Sequence, residues 1–205
     1  MKKSLLIIIW SIMMQPDVYA QWKAGIEQYK YIGTQSTGSV VPTIHLQSSN
    51  NWYAELRYNY EDAETLSLYG GKTFAGGSGL DYNITPMVGF STGRFTGVSF
   101  AAKVETEWEN IYLSSETQYS MAIKNNATNF FFSWSELGYN ISSSFFGGLA
   151  MQYTRQEGIS NFEPGLVAGI SIKNISFPFY VFSPFRPGSY FVLGLNYEYN
   201  LKSKR

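Results

Sequence analysis

Apolar and polar residues alternate along most of this chain with a period of two. In the run from Trp52 to Glu61, an extended backbone sets Trp52, Ala54, Leu56, Tyr58 and Tyr60 on one face and Tyr53, Glu55, Arg57, Asn59 and Glu61 on the other. From 97 to 109, Val98, Phe100, Ala102, Val104 and Trp108 oppose Ser99, Lys103, Glu105, Glu107 and Glu109. From 111 to 123, Ile111, Leu113, Tyr119 and Met121 oppose Ser114, Glu116, Gln118 and Ser120, and from 189 to 201 a row of Phe, Leu and Tyr opposes one that carries Asn196, Glu198 and Asn200. Such segments, each of about ten residues and separated by short turns rich in Gly, Asn and Ser, predict strands. They fall at 22–33, 40–49, 52–61, 64–74, 80–92, 97–109, 111–123, 129–140, 145–156, 163–173, 175–183 and 189–201. One segment departs from simple alternation. Phe130, Phe132, Trp134 and Glu136 share a face, which requires either a bulge that shifts the phase or an aromatic cluster that points inward.

The first residues follow a different rule. Lys2 and Lys3 precede an apolar run from Leu5 to Met14, and Val18 and Ala20 occupy the small-residue positions of a cleavage site, the pattern of a secretory signal peptide over 1–20. A membrane-spanning helix needs about 20 apolar residues, roughly twice this run. The remaining chain, 21–205, has no amphipathic helical stretch, linker or low-complexity segment, and reads as one all-β domain.

Composition narrows the class. The whole chain has 15 basic and 15 acidic residues; without 1–20, which hold two lysines and one aspartate, these become 13 and 14, a net charge of −1. That balance carries no nucleic-acid footprint. The absence of cysteine excludes a disulfide scaffold, a thiolate metal centre and a lipidated cysteine. Aromatics reach 18% while charged residues stop at 15%, below the roughly 25% usual in soluble domains. Greasy and polar residues are interleaved along the chain instead of being divided between a core and a charged surface.

Two architectures accommodate many alternating antiparallel strands behind a signal peptide: a soluble sandwich or barrel, and a barrel whose apolar face meets lipid. Volume separates them. About twelve strands enclose more space than side chains readily fill, since roughly eight already make a packed interior, and the apolar faces include small residues such as Ala54, Gly70, Ala102, Gly147 and Gly169. Strand length agrees: about eleven residues at roughly 3.4 Å each, tilted by about 40°, span some 28 Å, close to the apolar band of about 25 Å in such barrels. The expected fold is a single closed antiparallel transmembrane β-barrel of about 12 strands, with 10 as the alternative count.

In that fold the charged row lines the lumen, which assigns Glu55, Arg57, Lys103, Glu105, Glu107, Glu116 and Glu198 to its wall. Aromatics fall at the expected membrane interfaces, with Trp22, Trp52, Trp108, Tyr197 and Tyr199 at the periplasmic rim and Tyr58, Tyr60 and Tyr119 at the outer one. Alternate connections must lie on the same side. The periplasmic set (48–51, FAGGSG at 74–79, 109–110, 141–144 and 173–174) is mostly tight. The opposite set, which includes TGRFTG, KNNATN, QEGISNFE and SPFRPGS, is longer on average but too short for a plug domain.

The stretches ITPMVGFSTGRFTG (84–97), SWSELGYN (133–140) and YFVLGLNYEYNL (190–201) resemble the small, mostly uncharacterised outer-membrane β-barrel proteins of Bacteroidota-type bacteria. The likeness of pattern covers nearly all of the mature chain. It implies an outer-membrane location, contact with outer-membrane lipid, and assembly by the barrel-insertion machinery, which reads an alternating C-terminal strand that normally ends in an aromatic. Here Tyr199 is followed by six further residues, Asn200 to Arg205.

Few residues suggest catalysis or cofactor chemistry. His45 is the only histidine, so a serine–histidine hydrolase would have to use it, yet its nearest serine, Ser48, faces the other side of a strand at period two. His45 with carboxylates has no metal-ligand spacing, and no cofactor is implied. The Lys103, Glu105, Glu107 and Glu116 group, with Glu55 and Arg57, reads either as a cation-selective constriction or as an ion-pair lattice that fills the lumen. Sequons at Asn83, Asn126, Asn140 and Asn174 matter only in a eukaryotic secretory pathway, Gly93 and Gly97 read as turn residues, and Lys202, Lys204 and Arg205 as a solvated tail. The expected function is a narrow pore or a structural membrane component without enzymatic activity; a barrel hydrolase and a soluble barrel for a small apolar ligand are the alternatives.

Overall fold

The computed structural model describes residues 22–33, 39–124 and 127–201. The expected signal peptide, Asn126 and the basic tail lie outside them. Thirteen strand segments run β1 (Trp22–Ile32), β2 (Val40–Gln47), β3 (Trp52–Tyr58), β4 (Thr65–Lys72), β5 (Phe74–Gly77), β6 (Asp81–Gly93), β7 (Gly97–Trp108), β8 (Ile111–Ala122), β9 (Phe130–Asn140), β10 (Phe145–Gln156), β11 (Ile159–Ile172), β12 (Ile175–Phe182) and β13 (Tyr190–Leu201). Apart from β4 and β5, consecutive strands pair antiparallel, and β1 also pairs with β13 and β4 with β6, so the sheet closes on itself. β4 and β5 lie end to end against β6 and form one wall strand, which makes a closed barrel of 12 strands. Closure leaves no free edge and gives interior strands two backbone partners each.

The break between β4 and β5 has a local cause. The register passes through it unchanged, with Gly71 opposite Met87 and Phe74 opposite Ile84, and Pro86, which has no N–H to donate, sits in the gap. Pro178 interrupts the β12–β13 ladder in the same way, between Ser176 opposite Asn196 and Phe179 opposite Leu193.

Alternation decides what each face meets. Leu68, Val88, Phe100 and Leu149 point outward and are 60%, 57%, 54% and 58% exposed, whereas Arg57, Ser67, Ser99 and Ser120 point inward and are fully buried. The outer surface is therefore a continuous apolar belt, far larger than the patches a soluble monomer exposes.

The interior has two halves. Strands β9 to β13 and β1 contribute an aromatic half in which Trp134 meets Tyr180, Phe182 and Tyr29 at ring-centroid distances of 5.1, 5.5 and 5.4 Å. Strands β3 to β8 contribute the charged half. The pairing of β9 with β8 and β10 is unbroken, so Phe130, Phe132, Trp134 and Glu136 all face inward and no bulge shifts the phase. Several inward rings lie flat against a glycine directly opposite on the next strand: His45 on Gly25, Tyr69 on Gly89, Tyr112 on Gly138 and Phe146 on Gly169. A Cβ at those glycines would stand 2.2, 2.5, 2.2 and 2.2 Å from a ring atom, so only glycine lets the rings hug the wall.

Four expectations need correction. Gly169 faces the interior under Phe146, not the apolar surface. QEGISNFE is not a long connection: β10 and β11 meet in the two-residue turn Glu157–Gly158, both left-handed at φ 52° and 79°, so β11 starts at Ile159. FAGGSG is not all turn, because β5 carries the ladder on to Gly77. Tyr60 is not an interface aromatic. The left-handed Asn59 (φ 58°) ends the β3 alternation, and the next side chain, Tyr60, folds back into the barrel.

Candidate functional site: the lumen

The proximal rim is the end where β1 begins and β13 finishes; the distal rim carries the longer connections. At mid-height of the charged half lies Arg57, positioned by the inward row of β3. Its guanidinium binds Glu55 through Nε, Glu116 at 2.7 Å and Gln118 at 2.9 Å, with Glu61 at 3.8 Å. The rings of Tyr60 and Tyr69 cover its two sides, their centroids 4.4 and 4.1 Å from Cζ. Nε and Nη1 of the planar fork are thus held by several acceptors between two rings, while Nη2 is buried without a hydrogen-bond partner. Burial and the Glu116 carboxylate push the Tyr60 phenol well above its ordinary range, so it is a neutral hydroxyl in the connection that folds over this cluster.

Lys103, on β7, is held differently. Its ammonium lies 3.2 Å from Glu55, 3.7 Å from Glu116 and 3.7 Å from Glu27. Register places Lys103 opposite Glu116, and Glu27 reaches it from β1 across the lumen. Glu55 also accepts from Tyr53. Glu136, on the aromatic side, accepts from Trp134 Nε1 at 3.1 Å and from Tyr180 at 2.8 Å.

Below this lattice a cavity of about 440 Å³ reaches from the proximal turn at Lys173 and Asn174 up to Tyr31 and Tyr60. Six carboxylates (Glu27, Glu55, Glu105, Glu116, Glu136 and Glu198) line it against two lysines, Lys103 and Lys173. With Arg57 counted behind the wall, the acids still exceed the fixed cations by three. Above it side chains meet across the interior. Tyr60 meets Phe132 at 5.8 Å, Gln152 bonds Tyr31 at 3.3 Å, and Phe95, from the β6–β7 connection, is 3% exposed against Phe130.

The lattice and cavity bring together Glu55, Arg57, Lys103, Glu105, Glu116 and Glu198. Glu107 lies lower on β7, within 3.4 Å of Asn140 at the proximal rim. Trp22, Trp52 and Trp108 are exposed at the proximal strand ends, Tyr197 and Tyr199 stack on the outer surface nearby, and Tyr58 and Tyr119 stand outward toward the distal rim. His45 lines the cavity, stacked on Tyr53 at 5.8 Å with Nδ1 3.6 Å from Glu27. Sequence reasoning did not name Glu27, Glu61, Gln118, Glu136 or Trp134 as site residues. Parity alone placed Glu61 and Gln118 on charged faces, whereas Glu27 follows Lys23 and Gly25 in a row that ends in Tyr29 and Tyr31, and Glu136 follows the aromatics Phe130, Phe132 and Trp134.

No family model matches the sequence, and no curated protein matches it. Solved structures do. The chain superposes on the KdgM porin with a TM-score of 0.58 at 9% identity, covering 85% of this chain and 98% of the porin. It superposes on the NanC porin with a TM-score of 0.52 at 9% identity, covering 84% and 97%. A KdgM porin in complex with disordered oligogalacturonate gives a TM-score of 0.54 at 8% identity, covering 85% and 98%. The chain thus has the fold of the 12-stranded porins. At such identities the likeness establishes architecture alone.

Proposed function

We propose that the protein is an integral outer-membrane barrel of the small Bacteroidota type, exported by its signal peptide, whose lumen is a narrow pore favouring cations, with no enzymatic activity. The proximal rim then faces the periplasm and the apolar belt contacts outer-membrane lipid after insertion by the assembly machinery. The observation that carries the reading is the excess of acidic side chains in the cavity lining: six against two lysines and one arginine. Fixed charge of one sign in a narrow, poorly screened lumen raises the local concentration of the opposite ion and sets selectivity. The porin architecture of the neighbours supports a pore as well.

A second reading, a purely structural barrel, draws on the cross-lumen contacts of Tyr60 with Phe132 and Trp134 with Tyr29. Planar-bilayer recording of the refolded protein separates the two. The pore reading expects small, cation-selective events. Absence of events leaves the structural reading, and anion-selective events would contradict the assigned role of the carboxylates.

A further inference from the structure

The two cations at the centre of the lumen are held in opposite ways, and that contrast identifies a ligand. Arg57 is fully buried, locked by short contacts and covered by two rings. Lys103 keeps 18% of its side chain exposed, and its three carboxylate contacts, at 3.2 to 3.7 Å, are all longer than the roughly 2.7–2.9 Å of a tight charge-assisted bond. Its ammonium also donates to Tyr53 Oη at 3.3 Å, and its four-carbon stem is flexible where a guanidinium is a planar fork. Arg57 is a structural clamp. Lys103 is an ammonium tethered loosely in a site built from Glu27, Glu55 and Glu116.

We propose that this site recognises the primary ammonium groups of soluble amines, small diamines and oligoamines, which enter the proximal cavity and displace the Lys103 ammonium from its carboxylates. The inference deepens the cation-pore reading but does not require that the ligand cross the lumen. Four features support it. The carboxylates form a path: Glu27, Glu105 and Glu198 also border a second, smaller cavity of about 280 Å³ that reaches Lys23 and Asn200 at the proximal rim, whereas Glu55 and Glu116 line the larger cavity alone, so a ligand with two ammonium groups engages two levels at once. Tyr53, on the smaller cavity, already presents its ring 5.7 Å from the Lys103 ammonium, and Trp134 lines the larger one, so the wall offers aromatic faces suited to an alkylammonium. Tyr112 Oη, Asn196 Oδ1 and His45 Nδ1 are buried without a hydrogen-bond partner, and all three residues line this cavity. The volume of about 440 Å³ lies within the range of small-ligand pockets.

The test uses refolded full-length mature protein in detergent micelles, titrated with 1,4-diaminobutane at constant ionic strength. Of the described tryptophans, Trp22, Trp52 and Trp108 face outward and Trp134 faces the cavity, so a change in emission that disappears in Trp134→Phe reports occupancy of the lumen. The diamine is expected to give a saturable change, while 1,4-butanediol and potassium ion give none. Lys103→Met, which removes the tethered competitor but keeps the stem length, is expected to tighten diamine binding about tenfold or more. Because that variant leaves buried acids short of a cation, Glu105→Gln/Glu198→Gln provides an independent arm at the exposed mouth and is expected to weaken binding about tenfold. An equal response to butanediol or potassium, no saturable response to the diamine, or unchanged affinity in both variants overturns the proposal. Binding without conductance would refute the pore while leaving amine recognition standing; cation conductance without binding would do the reverse.

Discussion

Replacing Arg57 with methionine tests whether the lumenal lattice is a structural unit. The side chain has 0% exposure and contacts Glu55, Glu61 and Glu116, of which Glu55 is 1% and Glu61 0% exposed. Arg57→Met keeps much of the stem volume but strips three carboxylates of their shared cation, leaving Lys103 alone to serve Glu27, Glu55 and Glu116. Removing one partner of a buried ion pair typically costs about 3–5 kcal/mol, because the remaining charge is neither solvated nor paired. Removing both charges together is often neutral. Equilibrium urea unfolding of the refolded protein in lipid vesicles is therefore expected to show a loss of about 3–5 kcal/mol for Arg57→Met and recovery of most of it in Arg57→Met/Glu55→Gln, which deletes one charge of each sign. A single-variant loss below about 1 kcal/mol, or a double variant less stable than the single one, would refute the claim that these charges are mutually dependent.

Other outcomes follow from the same geometry. Tyr60→Ala removes the ring that closes the cavity against Phe132 and is expected to raise single-channel conductance in planar bilayers; an unchanged or lower value counts against a constriction at that level. Leu68→Arg places a charge on the outer face where exposure is 60%, and is expected to cost about 2–4 kcal/mol in the same unfolding assay if lipid covers that position near mid-membrane. Gly89→Ala drives a Cβ to 2.5 Å from the buried Tyr69 ring that covers Arg57 and is expected to cost about 1–3 kcal/mol, whereas Gly70→Ala, with nothing within 4 Å, is expected to stay within about 0.5 kcal/mol.

The barrel was legible because one period, applied strand by strand, fixes both the element and the face. The period-two rows around Glu55, Lys103 and Glu116 needed no tertiary information to be assigned to one surface. Where alternation fails as a code, the reading failed with it. Tyr60 follows a left-handed Asn59, a backbone change that parity does not register. Strand β12, ISFPFYVF, is apolar on both faces, so nothing in its composition separates inward Tyr180 and Phe182 from outward Phe177 and Phe179. The division of the lumen into charged and aromatic halves was therefore hidden. Glu27 and Glu136 were missed for a related reason: their roles arise from contacts across the hollow, with Lys103 and Tyr180, between strands far apart in sequence.

The central claim is that the apolar belt meets lipid and the charged rows enclose the lumen. The chain contains no cysteine, so single cysteines can be introduced without a background signal. Environment-sensitive dyes at Leu68→Cys and Val88→Cys, on the outer face, and at Ser114→Cys and Lys173→Cys, along the cavity, are to be compared in vesicles containing brominated lipid. The account predicts strong quenching at Leu68 and Val88 and little at Ser114 and Lys173. Quenching at the cavity positions with none at the outer ones, or mature protein that never enters the vesicles and stays in solution without detergent, contradicts it.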